Sequence, residues 1–246
     1  MEPIWLILTF SAVFTSVISA VIGMAGGIVL LSIMTFFLDL STIVPIHGFV
    51  QLTSNFSRSL RLRQHIEKRI LIPTIIGLPI GTFISTQIIR SVSNKEIFYF
   101  LIATLIFYVL FKPKKLPQLK IPFWSFGILA IVVGILGPLI GATGPLMAPF
   151  YLRNDLNKEQ IVATKASAQM AGHLLKVPAF LYLGFDYSKY LLLILLMSIG
   201  VIIGTNVGVS ILSKINESTF RLTFRTALFI AACRITYKAL ASLGVI

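Results

Sequence analysis

Two short rows of polar residues stand out as able to do chemistry. Lys165, Gln169 and His173 follow one another at i, i+4 and i+8 in IVATKASAQMAGHLLKVP, a spacing that sets three side chains on one helical face. Subtracting 118 from each number gives His47, Gln51 and Asn55 in PIHGFVQLTSNFSR, a second row with the same spacing. An ammonium and three amides are hydrogen-bond donors suited to a small oxyanion. His47 and His173 add either a ligand or a proton carrier, since imidazole titrates near neutrality. Each residue also has a plainer reading. Lys165 sits near enough to Glu159 to extend its ammonium to a surface, and amides and imidazoles also tie membrane helices together. Three histidines and the single Cys233, without clustered carboxylates, speak against a metal site. No cofactor is implied.

The charge inventory points the same way. The acidic residues are Glu2, Asp39, Glu67, Glu96, Asp155, Glu159, Asp186 and Glu217, and all of them fall at expected surfaces or helix ends. Lys165, Arg225 and Arg234 fall inside or near apolar spans, where an ionisable group is costly and usually marks a pathway or a pair. With no intramembrane carboxylate to pair with them, a bound anion supplies the missing charge. Arg234 lies deepest in the last helix, where burial would make it an oxyanion clamp. Arg58 and Lys176 are equivalent under the offset of 118. They are expected at opposite mouths, as attraction sites or as interfacial anchors.

The elements that must position these rows are membrane helices. Apolar residues make up 57% of 246 positions and charged ones 12%, about half the charged share of soluble domains, so most side chains must face lipid or one another. The formal charge of +13 comes from Lys and Arg gathered in short loops, which the positive-inside rule explains better than nucleic-acid binding. Glu2 is the only charge before the first apolar run, so that run reads as a retained segment and not as a signal peptide.

Ile4–Ile22 is followed by Gly23-Met24-Ala25-Gly26-Gly27 and by Ile28–Leu38, which is long enough for only half the hydrocarbon core. The glycines are expected to turn the chain inside the membrane. A polar helix over 44–60, a basic loop, and spans over 70–90 and 96–112 follow. After the basic connector 112–120 the pattern restarts: Phe123–Ile140, a break at Gly141-Ala142-Thr143-Gly144, a half-helix Pro145–Tyr151, and helices over 160–180, 190–211 and 218–242. Ile22–Gly26 matches Ile140–Gly144 at the same offset of 118, and Gly77–Thr82 matches Gly200–Thr205 at 123. The expectation is one all-α transmembrane domain over 1–246, built of two inverted five-segment repeats, about 4–112 and 121–243, each opening with a glycine-broken intramembrane hairpin. Half-helices starting near Gly27 and Pro145 would aim free N–H groups and positive dipole ends at the midplane. Gly26, Gly27, Thr143 and Gly144 thereby join the candidate site. If the 58–69 loop is cytoplasmic, Lys and Arg divide thirteen to five in favour of that side, with both termini outside.

A glycine-broken first segment in both halves, a polar helix with an Arg-rich exit loop, a GxxxGT helix and this chain length resemble the TauE/SafE sulfite exporter family, also called the TSUP or toluene-sulfonate uptake permease family. The resemblance runs from about residue 12 to 242. It departs from that family's fuller GxGGG pattern at Ala25, Thr143 and Pro145. It implies transport of sulfur-containing anions across a bacterial inner membrane. An anion carrier working by alternating access is the leading reading, with protons as a candidate coupling ion and the oligomeric state open. An anion channel of re-entrant half-helices is the alternative, although neither copy has the Asn-Pro-Ala turn of aquaporins. A membrane-embedded hydrolase is a third reading, without a rhomboid-like GxSG or an intramembrane acidic base.

Overall fold

Long apolar runs with few breakers leave the backbone one economical way to satisfy its own polar groups in lipid, and helices account for the regular structure among the described residues. The computed structural model describes residues 3–22, 26–92, 97–111, 120–151 and 153–211, together with positions 229, 233, 236, 237 and 240. In chain order the helices are α1 (Pro3–Ile22), α2 (Gly26–Met34), α3 (Leu40–Arg61), α4 (Lys68–Ser91), α5 (Ile97–Phe111), α6 (Ser125–Ile140), α7 (Gly144–Tyr151), α8 (Lys158–Tyr182) and α9 (Leu191–Ile211). Residues 23–25 of the first glycine break and most of the expected last helix lie outside the described residues.

The expected half-helix over 28–38 is shorter and earlier than its apolar run. α2 stops at Met34 and a turn follows over 35–38, because Asp39 initiates α3 at Leu40 and leaves no room to continue. α8 starts at Lys158 because Asn157 and Gln160 form a reciprocal capping box, Gln160 N donating to Asn157 Oδ1 at 2.8 Å and Asn157 N donating to Gln160 Oε1 at 3.0 Å.

Packing is reciprocal between the halves. α1 lies along α9 and α6 lies along α4, while α3 and α8 lie against each other. α3 also touches α9, and α8 also touches α4. Small residues set the two outer crossings. A Cβ at Gly81 would stand 2.0 Å from Ile131 O, and one at Gly204 would stand 2.2 Å from Val13 O. Helix backbones therefore touch at both crossings, as small residues permit in membranes.

The polarity runs inside out relative to a soluble domain. α1 exposes Phe10 and Phe14, α4 exposes Ile76 and Phe83, and α9 exposes Leu195 and Ile199, an apolar belt fit for lipid. α1, α4 and α9 are long and apolar enough to cross a bilayer. α3 and α8 instead bury His47, Gln51, Asn55, Arg58, Lys165 and His173 at the centre. Ser59 Oγ and Ser167 Oγ, 2.6 Å apart, join the two polar helices.

The surface connections are held by charge. Arg153 pairs with Asp155 at 2.7 Å, donates to Ile121 O, and stacks over the Phe123 ring at 4.5 Å. The Arg153 guanidinium holds the Asp155 carboxyl down to about 2. Glu67 caps α4, bonds the Arg69 guanidinium, and donates its own N–H to Thr164 Oγ1 on α8 at 2.8 Å. The Arg69 side chain lowers the Glu67 carboxyl.

Candidate functional site

The polar faces of α3 and α8 meet the starts of α2 and α7 around a small cavity of about 20 Å³. Its walls include Gly27, Gly144, Pro145, Gln51, Gln169 and Asn55, with His47, His173 and Ser19 beside them. The rows read from the sequence thus come together across the interface between the two polar helices. Gln51 and Gln169, matched by the offset of 118, both line it. The His47 and His173 rings stand edge to face with centroids 6.1 Å apart.

Several hydrogen bonds define what the walls still offer. His47 Nε2 donates to Gly27 O at 2.8 Å in the tautomer that carries its proton there, and Asn55 Nδ2 donates to Gln51 O at 2.9 Å. His47 Nδ1 and His173 Nδ1 are buried with no hydrogen-bond partner, a costly arrangement that a ligand or water would relieve. Gly27 and Gly144 belong to the first turns of α2 and α7, where backbone N–H groups lack intrahelical acceptors. None of the described residues in the cavity wall is acidic. A Cβ on Gly27 would come within 3.3 Å of the Gln51 amide, so the backbone approaches the amide closely.

A second small cavity, also about 20 Å³, shares Gln169 and His173 with the first and adds Thr82, Thr143, Gly172 and Lys176. Thr143 therefore faces the second space and not the first.

Other expected site residues are placed differently. Gly26 serves close packing: a Cβ there would lie 1.9 Å from Thr15 O, so α2 begins alongside the end of α1. Lys165 is 4% exposed and is not among the described residues lining either cavity. It does not extend to a surface, so the surface expectation for it is not met; α8 buries this position one turn before the cavity. Arg234 and Arg225 lie outside the described residues.

Arg58 and Lys176 are not at the mouths. They are 3% and 4% exposed, because each reaches inward to the end of a preceding helix. Arg58 Nη2 donates to Ser19 Oγ at 3.1 Å, beside the end of α1, and Arg58 Nε has no partner. Lys176 Nζ donates to Gly141 O at 2.6 Å, at the end of α6, where the backbone turns through a positive φ of 78°. Both meet negative helix ends. The sequence pairs the two cations by the same offset as the glutamines, but gives no sign of their inward reach.

The family model for Sulfite exporter TauE/SafE matches residues 8–235, nearly the whole chain. The chain belongs to the TauE/SafE family. As a TauE/SafE member it is a multi-pass membrane transport protein, which agrees with the apolar belt and the buried polar centre. Searches of curated proteins and of solved structures give no match. The particular residues of this TauE/SafE chain that handle its cargo therefore rest on the cavities described above.

Proposed function

We propose that this protein is a secondary transporter that moves small sulfur-containing anions, sulfite, thiosulfate or an organosulfonate, across a bacterial inner membrane by alternating access between two inverted repeats. The observation that carries the reading is the first cavity: paired amides of Gln51 and Gln169, two helix starts at Gly27 and Gly144, and no acid among the described wall residues. Such a site favours an oxyanion through amide N–H donors and helix-end dipoles.

The reciprocal packing supports the inverted repeats. α1 against α9 and α6 against α4 are one contact exchanged between halves, and α3 against α8 lies on its axis. The crossings match residue by residue. Gly77 approaches Gly127 O where Gly200 approaches Thr9 O, and Gly81 approaches Ile131 O where Gly204 approaches Val13 O. The start of α2 beside Thr15 and Ser19 supports a hairpin within the bilayer. Rocking one half against the other about α3 and α8 exposes the cavity to alternate sides.

The test is uptake of radiolabelled sulfite, thiosulfate and methanesulfonate into proteoliposomes. Saturable uptake of at least one, responsive to a proton gradient, is expected. Flux rising linearly with driving force would identify a channel instead, and chemical turnover in detergent without a gradient would identify an enzyme.

A further inference from the structure

The two halves differ where they flank the cavities. The offset of 118 matches Ser16, Ser19 and Ser54 with Gly134, Gly137 and Gly172, and the offset of 123 matches Thr205 with Thr82. On the first side hydroxyls fill the space. Ser16 Oγ lies 2.8 Å from Thr205 Oγ1 and 3.3 Å from Ser54 Oγ, and Ser19 Oγ accepts from Arg58. On the second side the three glycines contribute no side chain, and the space left there is the second cavity, with Lys176 and Thr82 in its wall.

That cavity holds a buried ammonium whose hydrogen-bond partner is the Gly141 carbonyl and not a carboxylate. The ion pairs among the described residues are all elsewhere, at Arg69–Glu67, Arg153–Asp155 and Lys189–Asp186. His173, 7% exposed, lines both cavities and leaves Nδ1 without a partner. A lysine charge shielded only by a carbonyl dipole is incompletely compensated, and an anion completes it.

We propose that the second cavity is a second oxyanion position in series with the first, with Lys176 as its counter-charge and with Gln169 and His173 as the wall through which the anion is handed on. On the matching side the Ser16, Ser54 and Thr205 hydroxyls bond one another and Ser19 takes up Arg58, so the proposal places the second position on the Lys176 side. This inference rests on the transporter reading and adds a site to it.

Serines introduced at the matching glycines test it with little disturbance. A Cβ at Gly172 would meet nothing nearer than 3.6 Å, and one at Gly137 nothing nearer than 3.4 Å, both ordinary contacts. Binding of sulfite, thiosulfate and methanesulfonate to the purified full chain is measured by titration calorimetry, with uptake in proteoliposomes alongside. Wild type is expected to bind two equivalents of its preferred anion. Lys176→Gln and the double variant Gly137→Ser/Gly172→Ser are expected to bind one, with uptake reduced tenfold or more. If Lys176→Gln does not yield folded protein, the serine double variant decides. Two equivalents retained by the serine variant would overturn the second site. So would a single wild-type equivalent that Gln51→Ala abolishes and Lys176→Gln leaves unchanged, an outcome in which the transporter reading stands. A wild-type protein that binds none of the three anions would overturn both.

Discussion

At the residue scale, the structure separates donors that face the cavity from charges that only share its helices. Gln51 and Gln169 both line the cavity across the α3–α8 interface, and under the transporter reading each amide is expected to donate a hydrogen bond to the anion. Gln51→Ala and Gln169→Ala are expected to raise the transport KM at least tenfold, about 1.4 kcal/mol of lost binding, with folded yield unchanged. Equal KM values in both variants would remove the glutamine pair from the site. Lys165 belongs to the other class. Its burial outside the cavity walls predicts that Lys165→Ala lowers folded yield on size-exclusion chromatography more than it changes KM. The surface pair Arg153–Asp155 makes a pH prediction with a definite sign. The Asp155 carboxyl is held at about 2 in the folded state, below the roughly 3.9 of an unfolded aspartate. Its contribution is therefore present above about pH 4 and disappears as pH falls through about 2. Asp155→Asn leaves the buried Arg153 guanidinium without its carboxylate, so it should lower the neutral-pH Tm by a few degrees and flatten the acid limb of the melting profile.

At the element scale, the crossings of α4 with α6 and of α9 with α1 are set by backbone contact. Gly81→Ala would push a methyl to within 2.0 Å of Ile131 O, whereas a Cβ at Gly127 on the facing helix has 3.5 Å to its nearest neighbour. The first substitution is expected to destabilise by about 1–3 kcal/mol through overpacking, and the second to be neutral or to stabilise by up to about 1 kcal/mol through helix propensity. Thermal unfolding in detergent distinguishes them; equal Tm values would mean that the crossing is not close. α3 and α8 work differently from these outer helices. Their polar faces turn toward each other and toward the starts of α2 and α7, so they depend on that tertiary packing to be shielded from lipid.

At the scale of the whole molecule, α3 and α8 share one polar seam, and the small residues beside it differ from one side to the other. Orientation follows from loop charge: the basic turn between α3 and α4, with Arg61, Arg63, Lys68 and Arg69, is expected in the cytoplasm. An Arg63→Cys variant in a Cys233→Ser background should react with an impermeant maleimide in inside-out vesicles and not in intact cells. Labelling in intact cells would reverse the assigned orientation and move both termini inside.

Much of this was legible in the chain itself. Helical class followed from apolar run length, and the glutamine pair followed from its offset, because helical periodicity fixes which residues share a face without reference to any neighbour. The reach of long side chains did not follow. Arg58 and Lys176 looked like surface residues by position along their helices, yet they turn inward to the ends of α1 and α6, and Lys165 in the polar row is buried away from the cavity. Which glycine serves packing and which opens space was likewise decided by the partner helix: Gly26 admits a carbonyl of α1, while Gly172 leaves room. Sequence alone determined a membrane-spanning, twofold-patterned chain with an amide-rich centre. Only the tertiary structure decided where each charge ends and which glycine leaves space beside the seam, because both depend on contacts between different helices that helical periodicity within one segment does not fix.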